Sequence, residues 1–288
     1  MALPTSTKMR IARALNRAIV GSRALLGLNS IVHARRRQVS WCLDLNEGID
    51  LALYLGVYQA VPKRVIARWV QPGSLVIDIG ANIGSHCLPM ARQVGPRGRV
   101  VAIEPTDYAF SKLVANTKLN ATLADRIIPI QAALGDETTH GGRDATFYSR
   151  WPLRGATAHR HAGHMGQLES AGGARFSTLD GLLNEIRVDG RVRGPVGFVK
   201  LDVDGNELRV LRGGERTFGQ ERPPMLIEIA PHVQDEVVQR LESLLRILQN
   251  FGYRLENADT AEPIPMSAEA LRGIVKPGAS IDAIARPA

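Results

Sequence analysis

The sequence predicts an α/β fold, a doubly wound and mostly parallel seven-stranded sheet. Three observations predict it. From residue 74 onward, short β-branched runs alternate with helix-length amphipathic stretches. The first run, Leu75 to Ile79, meets an acid and then two glycines four apart: Asp78-Ile79-Gly80-Ala81-Asn82-Ile83-Gly84. The second run, Arg99 to Ile103, closes on Glu104, twenty residues past Gly84. A glycine turn after a first strand and an acid after a second is how an open α/β sheet holds a nucleoside, the acid taking the ribose hydroxyls.

Each element follows from local pattern. Residues 8–28 read as an amphipathic helix, with Arg10, Arg13 and Arg17 on one face and Ile11, Leu15, Ile19 and Leu26 largely on another. Three roles compete for it: packing on the body through its apolar side, lying on an anionic membrane surface, or serving as an organellar transit peptide. Packing is the first expectation. A lead-in over residues 38–70 holds a short strand at 41–45, turn chemistry at Asn46-Glu47-Gly48, a helix over 49–59 and a second short helix after Pro62.

The core then reads as strand 74–79, helix 83–94 closed by Gly95-Pro96, strand 99–104, helix 107–119 with Thr106 as N-cap, and strand 126–134. Later come strand 197–203, helix 206–219, strand 224–230, helix 234–251 and strands 253–257 and 280–286. The ligand belongs beyond the carboxyl ends of these strands, near the switch in strand order.

Residues 137–177 break the alternation. They are rich in Gly, Arg and His, with one edge strand at Ala145–Ser149, and read as a functional loop or lid inserted into a domain spanning 38–288. His159, His161 and His164 suggest a metal, but no acid or Cys completes a set at typical spacing, so the cluster reads as a solvated loop and no metal site is assigned. Trp151 and His164 are candidates to face substrate.

The formal net charge of +8 is unevenly placed. Lys8, Arg10, Arg13, Arg17, Arg23, Arg35, Arg36 and Arg37 fall in the first 43 residues, which hold no Asp or Glu, so the rest of the chain sums to zero. The basic balance belongs to segment 1–37, and the body offers no nucleic-acid face. Two cysteines, Cys42 and Cys87, make no disulfide framework, which fits a reducing compartment. No apolar run approaches a membrane span. The expected location is cytoplasmic, with residues 8–28 as the one segment suited to the inner face of a membrane.

The turn itself narrows the ligand. A dinucleotide fingerprint has a third glycine and places a pyrophosphate on the helix N-terminus. Asp78 would repel that pyrophosphate, and would suit the amino group and sulfonium of S-adenosylmethionine.

A second constellation is Phe198-Val199-Lys200-Leu201-Asp202-Val203-Asp204-Gly205-Asn206-Glu207. Lys200 and Asp202 share one face of a strand. A lysine inside a central strand needs a carboxylate partner, for which Asp78 and Glu228 are the candidates. Asp202 stands at the strand's carboxyl end, where the crevice opens. Asp204-Gly205 turns the chain, and Glu207 favours the next helix dipole. An EF-hand loop starting at Asp202 fails, because its sixth and twelfth positions are Glu207 and Gly213.

These residues carry a resemblance. The stretch Asp78 to Gly84, Ile103-Glu104-Pro105, Asn116 and Asn120, Lys200 to Glu207, Leu211-Arg212-Gly213-Gly214 and Pro223 to Glu228 together resemble the FkbM family of S-adenosylmethionine-dependent methyltransferases. Leu45 to Asp50 resembles a stretch found before the core in bacterial members. The likeness covers roughly residues 40–255. Asp204 and Asn206 depart from it, where the family usually carries Glu and Ala. The resemblance implies a class I, Rossmann-like methyltransferase acting on a hydroxyl oxygen of a sugar, as in a cell-envelope glycan, or of a secondary metabolite.

Under that implication, Asp78, Gly80, Ala81, Asn82 and Gly84 hold the methionine side, Glu104 the ribose, and Ala133 and Asp136 the adenine. Asp202, with Lys200 and Glu228, carries the catalysis, as a general base or as a ligand, with Asp204 or Glu228, of a magnesium ion. Two other readings stay open: an NAD-dependent oxidoreductase, and a non-catalytic component of a glycan assembly complex at a membrane surface.

Overall fold

The computed structural model describes residues 5–58, 63–137, 145–155, 166–231, 240–276 and 279–288. Helix α1 (Thr5–Leu25) leads into the hairpin β1 (Ile31–Arg36) and β2 (Val39–Asp44), then α2 (Gly48–Leu55) and α3 (Lys63–Trp69). Next come β3 (Leu75–Ile79), α4 (Cys87–Val94), β4 (Arg99–Ile103), α5 (Asp107–Lys118), α6 (Ala121–Ala124) and β5 (Ile127–Ile130). A side structure follows, made of β6 (Ala132–Leu134), β7 (Thr146–Arg150), β8 (Gln167–Ser170) and β9 (Arg175–Ser177). The remainder is α7 (Leu179–Val188), β10 (Val196–Leu201), α8 (Glu207–Gly213), β11 (Met225–Ile229), α9 (Arg240–Asn250), β12 (Tyr253–Asn257), β13 (Pro263–Ile264), α10 (Ala268–Ile274) and β14 (Ile281–Pro287).

The main sheet runs β13-β12-β14-β11-β10-β3-β4-β5. From β11 through β10, β3 and β4 to β5 every pairing is parallel. Strand β14 is antiparallel to both β11 and β12, and β13 is antiparallel to β12. The sheet therefore has eight strands, one more than expected, because Pro263–Ile264 adds a short edge. The order reverses between β3 and β10, so the switch point lies at their carboxyl ends.

β3 is buried at all of its positions, which is why it reads as an unbroken apolar run. On one face, Ile77, Ile79, Val101 and Ile103 pack with residues of α7, α8 and α9; on the other, Val76, Val100, Ala102 and Phe198 pack with α4 and the N-terminal elements.

Several boundaries moved, each for a local reason. Helix α4 starts at Cys87 rather than 83, because Asn82 and Gly84 both have positive φ (48° and 94°) and Pro89 is tolerated only in a first turn. Helix α2 stops at Leu55, capped by Gly56 in the left-handed region. Thr106 occupies an N-cap position but makes no side-chain cap; its hydroxyl is spent on Glu104 instead. The expected strand 126–134 is two strands. Pro129 sits in the edge strand β5, where a missing donor is harmless, and β6 leaves the sheet to pair with β9. The expected helix 206–219 ends at Gly213, followed by a π-helical turn over Thr217–Glu221. A Cβ at Gly213 would lie 1.9 Å from the Gly135 carbonyl oxygen, so β6 and α8 meet only because that residue is glycine. Residues 234–239 of the expected helix 234–251 lie outside the described residues.

The N-terminal segment is bound into the body. Met9, Val20 and Val32 share a buried cluster with α2 and α4. Asn16, fully buried, donates to the Leu45 carbonyl (2.7 Å) and to Asn46 Oδ1 (3.2 Å), and accepts from Arg154 Nε (2.9 Å). Hairpin strand β1 was not expected; only Val32 of its six residues is buried, so the strand shows no apolar alternation. Among the described residues, no helix is long and apolar enough to cross a membrane.

Candidate active site

The glycine turn and the end of β10 are pressed together. Gly80 has φ +79°, and a Cβ there would lie 1.9 Å from the Asp202 carbonyl oxygen. Glycine is the residue this contact permits. Asp202 N–H donates to Ile79 O across the switch point (3.2 Å). Ala81, fully buried, follows, and Gly84 packs against Leu113 and Leu88.

Lys200 organises the crevice from below. It is 3% exposed, and its Nζ donates to Gly80 O at 2.9 Å, with Asp202 Oδ2 at 3.1 Å and Asp78 Oδ1 at 3.7 Å. Burial would lower its pKa, but Asp202 and Asp78 outweigh burial and raise it, so Lys200 is charged. Its main carboxylate contact is thus the neighbour on its own strand, with Asp78 second; of the two expected partners, Asp78 is met. Asp78 has no exposed surface, and its carboxylate is held chiefly by the 3.7 Å ion pair with Lys200. Burial, only partly offset by Lys200, pushes it up to about 6.

Above Lys200 the acids crowd. Asp202, Asp204 and Glu228 each offer an oxygen within 4.8 Å of the others. Burial raises Asp202, but Lys200 more than reverses this and holds it below the usual carboxylate range. Asp204, at φ +48°, is pushed well up by burial and by Asp202 and Glu207. Glu228 is pushed well up by burial and by Asp202, and Ser280 Oγ donates to its Oε1 (2.6 Å). Glu207 accepts from Val203 N (3.1 Å) and Gly205 N (3.2 Å), which pins the turn.

Glu104 stands across the turn, 3% exposed. Its Oε2 accepts from Asn82 N (3.0 Å), and its Oε1 accepts from Thr106 N (3.0 Å) and Thr106 Oγ1 (2.6 Å). A carboxylate has about four acceptor sites. Three are filled, which leaves room for one ligand hydroxyl without rearrangement. Burial still raises its pKa despite these bonds. Asn82 Nδ2 donates to Ser149 O (3.0 Å), so the turn is tethered to β7.

The two residues expected at the adenine lie in β6 and just past it. Ala133 is buried in β6, opposite Phe176 of β9. Asp136 pairs with Arg209 (3.0 Å) and Arg212 (3.9 Å) of α8. Trp151 lies beside Gly48, whose N–H donates to its carbonyl (2.9 Å). His159, His161 and His164 lie outside the described residues.

Sequence reasoning missed His86, Tyr58 and Asp282. Burial and the Lys200 charge push His86 down to about 3, so its ring is neutral. Its Nδ1 lies 3.5 Å from Ser85 Oγ, which donates to the Tyr58 hydroxyl (3.4 Å). Asp282 is raised to about 6 by burial and by Asp202. His86 could have been found, since residues just past a glycine turn face the crevice. Asp282 comes from the other end of the chain and gives no local signal.

A doubly wound sheet with its acids at the switch point and a glycine turn beside a buried, donor-loaded glutamate defines a nucleoside-type ligand site on an α/β enzyme fold. Comparison with known proteins is consistent with that. The family model described as "Methyltransferase FkbM domain" matches residues 78–255. The chain belongs to the FkbM methyltransferase family. The chain is 28% identical over 218 residues to 31-O-demethyl-FK506 methyltransferase FkbM of Streptomyces tacrolimicus, covering 69% of this chain and 78% of that relative. It is 25% identical over 181 residues to hexuronic acid methyltransferase AglP of Haloferax volcanii, covering 62% of this chain and 66% of that one. The crystal structure of methyltransferase FkbM from Methylobacillus flagellatus KT aligns with a TM-score of 0.44 at 17% identity, covering 75% of this chain and 44% of that one.

Proposed function

We propose that this chain transfers the methyl group of S-adenosylmethionine to a hydroxyl oxygen of a sugar or a secondary metabolite. The observation that carries the reading is Asp202: ionised by Lys200, half-open to the crevice, and set beside carboxyl groups that burial keeps more basic. The two named relatives support the substrate class, one acting on an O-demethylated secondary metabolite and one on a hexuronic acid.

S-adenosylmethionine supplies an electrophilic methyl on a sulfonium; its C–S bond breaks as a C–O bond forms. The chain must hold the acceptor hydroxyl in line and receive its proton. Asp202 is the group that orients the hydroxyl by accepting its hydrogen bond. Glu228, raised well above the usual carboxylate range by burial and by Asp202, is the stronger base and takes the proton when ionised. Lys200 keeps Asp202 ionised and ties the β10 end to the Gly80 carbonyl. Glu104 takes one ribose hydroxyl on its remaining acceptor site. Asp78, being sealed, acts on the ligand through Lys200 and the turn it underlies. Were a magnesium ion used, Asp202, Asp204 and Glu228 form the oxygen-only set that would hold it.

Calorimetric titration with S-adenosylmethionine, S-adenosylhomocysteine and NAD, with and without magnesium, tests the cofactor. Binding of both adenosyl ligands and not of NAD supports the reading; binding of NAD alone overturns it. Asp202→Asn is expected to lose turnover while keeping adenosyl-ligand binding, and full activity in that variant removes Asp202 from the mechanism.

A further inference from the structure

Helix α1 uses one face to pack and leaves the opposite face with no polar cover. Met9, Asn16 and Val20 are buried. Half a turn away, Ile11, Leu15, Ala18, Ser22 and Leu25 follow one another at spacings of three and four, forming a single outward strip. Ile11 is 48% exposed, Leu15 41% and Leu25 90%. The strip continues past the helix end through Leu26 (76%), Leu28 (49%) and Ile31 (43%). Six of the twelve large exposed apolar residues among the described part of the chain fall between positions 11 and 31. Such residues are normally scattered over a surface, so this concentration marks an interaction face.

Cations fringe the strip. Arg10 and Arg17 are exposed along one flank and Lys8 along the other, and Arg35 and Arg37 stand exposed on the adjoining hairpin. No acid occurs before Asp44, so nothing on the segment neutralises them. A solvated helix would present polar residues here, and a protein interface would favour directional polar partners. An apolar ridge between diffuse cations matches a surface that is apolar below and anionic above, with no fixed geometry.

We propose that α1 is a docking helix for anionic lipid bilayers, lying in the interface plane with Ile11, Leu15 and Leu25 inserted and Lys8, Arg10 and Arg17 at the phosphates. The buried side of the helix is fixed to the protein through Asn16, Leu45 and Asn46. The next residue, Glu47, pairs with Arg150, one residue from the Ser149 carbonyl that receives the glycine-turn Asn82. The Lys8 charge also acts on Asp282 beside the crevice acids. On this reading the methyl acceptor is a glycan or metabolite carried at a lipid surface. This last step rests on the methyl-transfer reading.

The test is flotation of the full chain with phosphatidylcholine vesicles, with and without phosphatidylglycerol. Binding is expected only with phosphatidylglycerol and should weaken with salt. Leu15→Glu/Leu25→Glu and Arg10→Glu/Arg17→Glu, all at exposed positions, should each lower vesicle affinity by about tenfold or more. Circular dichroism melts should stay unchanged. Failure of the wild-type chain to bind phosphatidylglycerol vesicles overturns the proposal. So does binding that both variants retain. A dimer seen by ultracentrifugation, lost in Leu15→Glu and without vesicle binding, overturns it in favour of self-association. Adenosyl-ligand titration of the same preparations judges the methyl-transfer reading separately: ligand binding without vesicle binding refutes docking alone.

Discussion

Two buried ionic clusters flank the glycine turn, and they are built to opposite ends. On the lead-in side, Glu47, Asp50 and Glu169 meet Arg150 and Lys112. Arg150 bonds Glu47 (2.5 Å) and Glu169 (3.1 Å) and stacks its guanidinium 4.4 Å from the Tyr108 ring centroid. Lys112 bonds both oxygens of Asp50. Each charge there has a partner. On the crevice side, among the described residues, Asp78, Asp202, Asp204, Glu228 and Asp282 crowd around Lys200 as the main cation, with the Lys8 charge also reaching Asp282. The first cluster fastens the lead-in to β7. The second gathers acids where the proposed reaction would receive a cationic ligand and a proton. Crowding several buried acids around one main cation is costly, and strongly perturbed acids of this kind gather more often at functional sites than at structural ones.

The contrast can be broken by substitution. The largest effect is expected for Lys200→Met, which strands Asp78 and Asp202: unfolding by denaturant should show a loss of about 3–5 kcal/mol. Adding Asp78→Asn to that variant should recover much of the loss, and a double variant no better than the single one would break the pairing argument. Glu104→Ala should weaken S-adenosylmethionine binding by about 1.5–3 kcal/mol, one charge-assisted hydrogen bond, as read by calorimetry. A loss twice as large would mean that both ribose hydroxyls are held and that Thr106 moves aside.

A pH series sharpens the comparison further. Because Asp78 in the folded chain is raised to about 6 from an ordinary value of 3.8, its ionisation costs stability as pH climbs through that window. Below it the carboxyl is protonated in both states and contributes nothing. The stability of Asp78→Asn relative to wild type should therefore rise by about 1–3 kcal/mol between pH 4 and pH 7. A difference flat with pH would mean that Lys200 satisfies Asp78 after all. The smallest effect belongs to an exposed pair outside both clusters: Arg175→Ala, which removes the surface ion pair with Glu185, should change stability by about 0–1 kcal/mol.

Much of this was legible in the sequence because it is local. The run Leu75–Ile79, the turn to Gly84 and Glu104 after β4 are contiguous patterns with one structural meaning, and they fall where expected. Lys200 and Asp202 were placed on a common face by strand alternation alone. What escaped was long-range. The Thr106 hydroxyl serves Glu104 rather than its helix, a choice that propensity cannot see. β6 departs from the sheet because Gly213 lets α8 approach Gly135, a contact between residues almost eighty positions apart. Asp282 reaches the crevice only through the antiparallel insertion of β14. Ile11, Leu15 and Leu26 were legible as an apolar face of the N-terminal helix but were expected to pack; they face outward, because Met9, Asn16 and Val20 supply the packed side.

That inserted strand has a consequence for how the protein is made. β14 sits between β11 and β12, yet residues 281–287 are among the last of this sequence to be synthesised. Until they emerge, two strands present open edges with unpaired backbone groups, a template for pairing with other chains. The same strand delivers Asp282 to the crevice. Assembly of the sheet and completion of the acidic crevice are thus one event, and a nascent chain short of β14 is at once aggregation-prone and short of one crevice acid.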